Sequence, residues 1–386
     1  MKRVLLWVLA VTICISMVAT FSLVGCTQEA AETTEAVEEE AVEEEAVEEE
    51  AVEEDSYSGV TDLKIGFSTC YSGNSYRQNL NTGFENTMED LKSQGIVDSW
   101  IMTDSNNDTA TQISDIQSMI LDEVDAIVLV AGSTTAFTDA IQQAIDAGIP
   151  VISINQGPLE TDLVYEIIPD WKETAVFLAE YAVDVLKEKQ GTEDVNGNVL
   201  IVRGFTGEAC DTYQYAGHTE VLAQNPGLEI AAEVYGQWTH SVALSEIEQV
   251  LPSLPDIDMV LGQGGDGYAA VLAFENAGRD LPIIVGGNRG DFLNWWMDEY
   301  NENGYDTASS CGNPTGMGSA AGYLAVEILN GNTDFEHSRI MMMPSLNITL
   351  ENLFDFEGIS DDVVAGQAAT WDDVKTDLMT QIDVQI

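Results

Sequence analysis

The chain has 386 residues, 45% of them hydrophobic, with 67 acidic residues against 13 Lys and Arg and a formal net charge of −54. So acidic a surface repels phosphate backbones and anionic headgroups, which argues against nucleic acid as a partner. Five cysteines and three histidines stand too far apart in sequence for any zinc spacing, so neither a metal site nor a cofactor is expected.

In chain order, Met1-Lys2-Arg3 precedes an apolar or weakly polar run from Val4 to Gly25 that ends in Leu23-Val24-Gly25-Cys26. A basic start, an apolar stretch and a small-residue exit predict a signal peptide over 1–25, and the last four residues resemble a bacterial lipobox, which makes Cys26 the lipidation site. A transmembrane anchor is the alternative, since the run is long enough to span. Either way the remainder lies outside the cytoplasm. Residues 26–61 read as an acidic linker, with 15 acids and no Lys or Arg between Thr27 and Asp55. Its valines, Val37, Val42, Val47 and Val52, recur every five residues. That step displaces each by about 140° around a helix, so no apolar stripe forms and a solvated spacer results.

Residues 56–386 carry 52 acids and 11 cations and are long enough for two cores. Apolar runs at 63–68, 99–104, 125–131 and 150–155 alternate with segments of helical period such as Thr109 to Leu121. A second series follows at 198–204, 228–236, 257–263 and 282–287. Near-continuous apolar strands joined by helices predict an α/β fold of two Rossmann-like lobes with parallel sheets. Extended stretches at 305–314 and 341–350 flank a helix over 315–329. The expected division is 62–170 plus 313–340 for the N-terminal lobe and 171–312 plus 341–386 for the C-terminal lobe, joined by a multi-crossover hinge.

Ligands of open parallel sheets collect at the carboxyl ends of the strands. There stand Asn74, Tyr76 and Arg77, then Asp104 to Asn107, then Asn155 and Gln156. The later series supplies Asp211, Thr212, Trp238, Gln263, Asp266, Asn288 and Arg289. Amides that both donate and accept, with aromatic faces for C–H groups, suit a sugar-like polyol. The competing explanation is that βα turns themselves favour Asn, Ser and Gly. No nucleophile elbow, phosphate-binding loop or zinc-protease motif occurs, and "GQGGDG" (262–267) lacks dinucleotide spacing, so an enzyme is not expected. Cys70, Cys210 and Cys311, each in a loop at the cleft end, line the site, form a bridge or pack, and packing is the expectation.

The stretches "DSNNDTATQISDIQSMILDEVDAIVLV", "AIDAGIPVISIN", "AAVLAFENAGR" and "IIVGG" resemble, in this order, the type I periplasmic solute-binding proteins of bacterial ABC importers, in particular their sugar branch. The resemblance covers most of 62–350 and implies two lobes joined by three crossovers that close on a ligand and deliver it to a membrane permease. Tyr76-Arg77 looks like the aromatic–Arg pair of galactofuranose-type binders. Asn74, Gln263, Asn288 and Asn313 fall at positions that match cleft residues. The sequence departs where the branch commonly has Asp-Arg after its fourth strand and here has Asn155-Gln156. Asn288 replaces a usual Asp, and an Arg usual in the loop after the first strand of the second series is absent, with Thr212 and Gln214 nearby instead. Arg77 is then expected to be the principal cation of the cleft, forking onto a ligand carboxylate or vicinal hydroxyls, with a salt bridge to a neighbouring acid as the alternative.

The resemblance implies an extracytoplasmic, lipid-anchored, monomeric protein with a small sugar-like ligand and an ABC permease as partners. The alternative is a sensor module that presents its ligand to a membrane receptor.

Overall fold

The computed structural model describes residues 58–332 and 339–381; the leader, Cys26 and most of the acidic linker lie outside them. Two fully parallel sheets carry the fold. The first has the order β11-β5-β4-β3-β1-β2 and the second β7-β6-β8-β9. In chain order the first comprises β1 (Leu63–Thr69), β2 (Val97–Asp104), β3 (Ala126–Val130), β4 (Val151–Ile154), β5 (Tyr165–Pro169) and, much later, β11 (Ile340–Met343). The second comprises β6 (Gly197–Arg203), β7 (Leu228–Tyr235), β8 (Met259–Gly262) and β9 (Ile283–Val285). An antiparallel pair of β10 (Ser309–Gly312) and β12 (Ser345–Ile348) adjoins the second sheet through a bridge between Gly286 and Ser309.

The central strands read as unbroken apolar runs because both faces are covered. In β3, Ala126, Val128 and Val130 point to one core, shared with helices α1 (Ser75–Ser93) and α9 (Pro314–Leu329). Ile127 and Leu129 point to another, shared with α2 (Thr109–Leu121) and α3 (Thr138–Asp146). The second sheet is built alike. Val199 and Ile201 of β6 face α4 (Trp171–Gln190) and α5 (Ala209–Gln224), while Leu200 and Val202 face α6 (His240–Val250) and α7 (Gly267–Ala277). The helix α8 (Gly290–Asn303) buries Leu293, Trp296 and Met297 against Leu353 and Ala365. Edge strands show the other pattern, half exposed, as in β7 where Glu229, Ile230 and Tyr235 reach solvent.

Two expectations change. β5 was not read as a strand; it is short, carries the buried Glu166, and owes its place to pairing between β4 and β11. Residues 341–386, expected wholly with the second lobe, divide instead. Met341–Met343 pair with β5 in the first sheet, and residues 344–365 return to the second body through β12 and the packing on α8. The chain then crosses back again, burying Val374 and Leu378 in the first core, with Gln381 bonded to both backbone groups of Met342. Glu327 of α9, itself buried, holds this segment by accepting from the indole Nε1 of Trp371 and by an ion pair with Lys375 at 3.2 Å. Four crossings, near 170, 312, 344 and 366, therefore join the sheets instead of three. The last one escaped the sequence because short turns without a 3.6- or two-residue period give no hydrophobic signal.

Candidate functional site

Both sheets present their carboxyl edges to one cavity of about 350 Å³. From the first sheet, the loop after β1 delivers Asn74, whose Oδ1 caps α1 by accepting from the Arg77 backbone N–H at 2.9 Å. That cap orients the first turn, so Tyr76 and Arg77 both reach the cavity. After β4, Asn155 takes a left-handed backbone conformation (φ 72°) and turns its side chain inward. Such a conformation is costly outside glycine and clusters where a side chain must be aimed. With its amide oriented so that Nδ2 faces the Tyr76 hydroxyl at 2.9 Å, its Oδ1 accepts from two nitrogens of the Arg77 guanidinium at 3.0 and 3.3 Å. Burial pushes the Tyr76 hydroxyl well above its ordinary pKa, so it stays protonated. Its ring lies 6.1 Å from that of Trp171, whose indole Nε1 donates to the Asn155 carbonyl.

From the second sheet, Trp238 (φ 50°) lies across two glycines: a Cβ on Gly264 would sit 2.7 Å from the indole, and one on Gly204 would overlap it. Gln263 lines the cavity, but its Oε1 accepts from Gly204 N–H at 2.9 Å and its Nε2 donates to the Asp211 carbonyl at 3.2 Å. Asn288 is fully buried and likewise engaged, donating to Leu346 O at 2.7 Å and accepting from Ser309 Oγ at 2.6 Å. Both residues shape the wall while most of their polar capacity is taken by the protein. Asp211 is consumed by a bidentate pair with Arg203, at 2.6 and 3.1 Å.

Of the expected site residues, Asn74, Tyr76, Arg77, Asn155, Trp238, Gln263 and Asn288 line this cavity. Gln156 lines an adjoining one of about 290 Å³, which also borders Asn74, Arg77 and Trp238. Three stand apart. Thr212 is exposed on α5 and donates to Glu208 O at 3.0 Å. Asn313 caps α9 and bonds both backbone groups of Gln367, which ties two crossings together. Asp266, just before α7, is absent from the lining, fully buried with both oxygens unpaired, and burial lifts its pKa to about 7.

The cavity also holds residues that were not assigned to it. Trp171 opens α4, Gln214 sits one turn into α5, and His240 begins α6, each at a helix start facing the strand ends. Arg289 is a second cation. It bonds Asp291 at 2.8 Å through Nε and reaches across to Ser75 Oγ of the first body at 3.2 Å. Arg77 is thus not alone, but no ion pair engages it among the described residues, whereas Arg289 already has Asp291. Burial lowers the pKa of His240 despite Asp291 at 3.6 Å, so the ring is neutral at pH 7. Cys210 and Cys311 also line the cavity, from the first turn of α5 and from β10, not from loops as expected. Cys70 borders the adjoining cavity. All three are free and buried, and burial raises Cys210 and Cys311 to about 12, far from a reactive thiolate.

The two bodies touch at the cleft mouth. A Cβ on Gly157, after β4, would lie 2.7 Å from Cβ of Ala209 in α5, and Val364 N–H donates to Asn79 Oδ1 at 3.3 Å.

Residues 65–333 match the model of the periplasmic binding protein domain, and the chain belongs to that family. It is 28% identical over 188 residues to a xylitol-binding protein of Mycolicibacterium smegmatis, covering 48% of this chain and 52% of that one. It is 24% identical over 228 residues to a ribose import binding protein of Bacillus subtilis, covering 58% and 69%. The chain thus spans from about half to about two thirds of the length of these relatives. Among solved structures, an ABC transporter solute-binding protein from Thermobispora bispora superposes with a TM-score of 0.72 at 26% identity, covering 82% of this chain and 94% of that one. A Bacillus halodurans solute-binding protein with bound myo-inositol gives 0.65 at 22% identity, covering 78% and 99%, and shares the fold.

Proposed function

We propose that this chain captures a small sugar or polyol between its two sheets, outside the cytoplasm, and hands it to an ABC permease. The observation that carries the reading is the convergence of Arg77, Asn155, Trp171, Trp238 and Gln214, drawn from the strand ends and helices of both sheets, on one cavity. Its volume of about 350 Å³ suits a monosaccharide-sized ligand, and the tryptophans offer apolar faces for ring C–H groups. Relatives named for xylitol and ribose, and a structural neighbour holding myo-inositol, support this class of ligand. Closure by hinge motion is the mode of capture, since ligand contacts drawn from both bodies favour the closed state only when the ligand is present. The protein works as a monomer, held to the membrane by lipid on Cys26 with residues 27–55 as spacer.

No covalent chemistry is assigned. Among the described residues, no Asp or Glu lines the cavity, and the thiols there remain protonated. A sensor role is the second reading, supported by likeness to the fructose-binding periplasmic domain of a hybrid two-component system, at a TM-score of 0.64.

The test is thermal unfolding of residues 56–386 against pentoses, hexoses, pentitols, inositols and their acids, with nucleosides and amino acids as controls. A ligand at 100 times its Kd adds about 2.7 kcal/mol. A shift confined to the sugar and polyol series is expected, with the ligand recovered unchanged; a shift only with nucleosides or amino acids would overturn the reading. Deleting the permease separates the roles, because uptake stops if the protein serves an importer while a sensor response persists.

A further inference from the structure

We infer that the ligand of this cavity carries a carboxylate, as in a uronic or aldonic acid, and that Arg77 is the residue that selects it. The inference rests on the reading of the cavity as a sugar or polyol site and narrows it to the acidic members of that class.

The argument is an inventory of donors and acceptors. In a chain with 67 acids, none of the described residues that line the main cavity is Asp or Glu, while two are arginines, one contributed by each body. Arg289 is already neutralised by Asp291. Among the described residues, the hydrogen-bond partner of the Arg77 guanidinium is the neutral Asn155 Oδ1. Glu208 borders the adjoining cavity and is close enough for Arg77 to stabilise its carboxylate, yet no ion pair forms between them.

Four side-chain acceptors of the cavity are already engaged, while Gln214 Oε1 and the neutral His240 ring remain open to ligand hydroxyls. Asn74 Oδ1 accepts from Arg77 N–H, Asn155 Oδ1 from the Arg77 guanidinium, Gln263 Oε1 from Gly204 N–H, and Asn288 Oδ1 from Ser309 Oγ. Free donors cluster around the Arg77 side of the cavity: the guanidinium itself, the Nδ2 of Asn74 and the indole Nε1 of Trp238, the last two without a protein acceptor among the described residues. A neutral polyol brings hydroxyls that each need an acceptor as well as a donor, whereas a carboxylate only accepts. Closing the cleft over a neutral ligand would also bury the Arg77 charge opposite an amide alone, and a carboxylate removes that cost with a bidentate fork.

Matched pairs test this directly: D-galactose with D-galacturonate, D-glucose with D-glucuronate and with D-gluconate, and D-xylose with D-xylonate, titrated calorimetrically at fixed ionic strength. At least one acid is expected to bind about tenfold or more tighter than its neutral parent, the scale of a charge-assisted hydrogen bond. Arg77→Gln is expected to erase that preference and Arg77→Lys to keep part of it, each with the unliganded unfolding midpoint unchanged, which separates lost charge from lost folding. Should every neutral parent that binds do so as tightly as or tighter than its acid, the inference fails and the broader sugar or polyol reading stands. Should neither series bind, both fall together.

Discussion

A single buried carboxyl illustrates how strongly position overrides residue type. Asp266 was expected to touch ligand because it follows a strand end. It is buried outside the cavity instead, where desolvation without a hydrogen-bond partner lifts its pKa from 3.8 to about 7. The native state therefore holds a proton that the unfolded chain has released, so stability falls as pH rises from about 4 to about 7. The full shift corresponds to about 4 kcal/mol. Asp266→Asn removes this ionisation cost but leaves unpaired amide donors. It is expected to stabilise the protein by about 2 kcal/mol at pH 8 and by nothing, or less than nothing, at pH 4. Denaturant titrations at the two pH values check this, and an equal difference at both would show that ionisation is not involved. Glu166 acts in the same direction, raised to about 7 by burial. His218 opposes both, since burial lowers it to about 3 and its unfolded imidazole gains a proton below about pH 6.5.

Among elements, the pair of α1 and α9 decides the first core. The two helices meet at backbone distance because Gly318 stands against the Leu80 carbonyl and Gly83 against that of Thr315. An added Cβ at Gly318 would fall on a carbonyl oxygen that cannot rotate away. Helix propensity alone favours Gly318→Ala by about 1 kcal/mol, but the overlap forces the helices apart at about 1–3 kcal/mol or more. Net destabilisation is expected, read as a lower urea midpoint with an unchanged slope, and a rise in midpoint would refute the close contact. The same pair carries function. α1 presents Tyr76 and Arg77 from its first turn, and α9 begins at Asn313, which clasps the last crossing.

On the scale of the whole molecule, the two bodies meet where Gly157 approaches Ala209 and where Arg289 bonds Ser75. Gly157→Phe places a ring where the mouth must shut. The open state is then favoured, and ligand affinity is expected to fall about tenfold or more, because a state populated less often binds less tightly. Small-angle scattering should show the variant no more compact with ligand than without, and compaction equal to that of the parent chain would exclude the wedge. Four crossings instead of three tie the bodies, and the extra one is locked to α9 through Glu327, Trp371 and Lys375.

The sequence by itself determined the two parallel sheets, since runs such as Ala126–Val130 and Val151–Ile154 are apolar throughout and need cover on both faces. It also located the edge at which Asn74, Tyr76, Arg77 and Asn155 gather, because strand ends and helix starts are local features. Only the tertiary structure decided which polar groups stay free. Gln263, Asn288 and Asp211 look equivalent to Arg77 as letters, yet their partners, Gly204, Leu346 with Ser309, and Arg203, come from other segments of the chain. The return of β11 and of residues 366–381 to the first body was equally hidden, because pairing and packing between distant segments leave no periodic trace in either one. Local chemistry is written in adjacent residues; whether a side chain is spent on the protein or left for a ligand depends on what folding brings beside it.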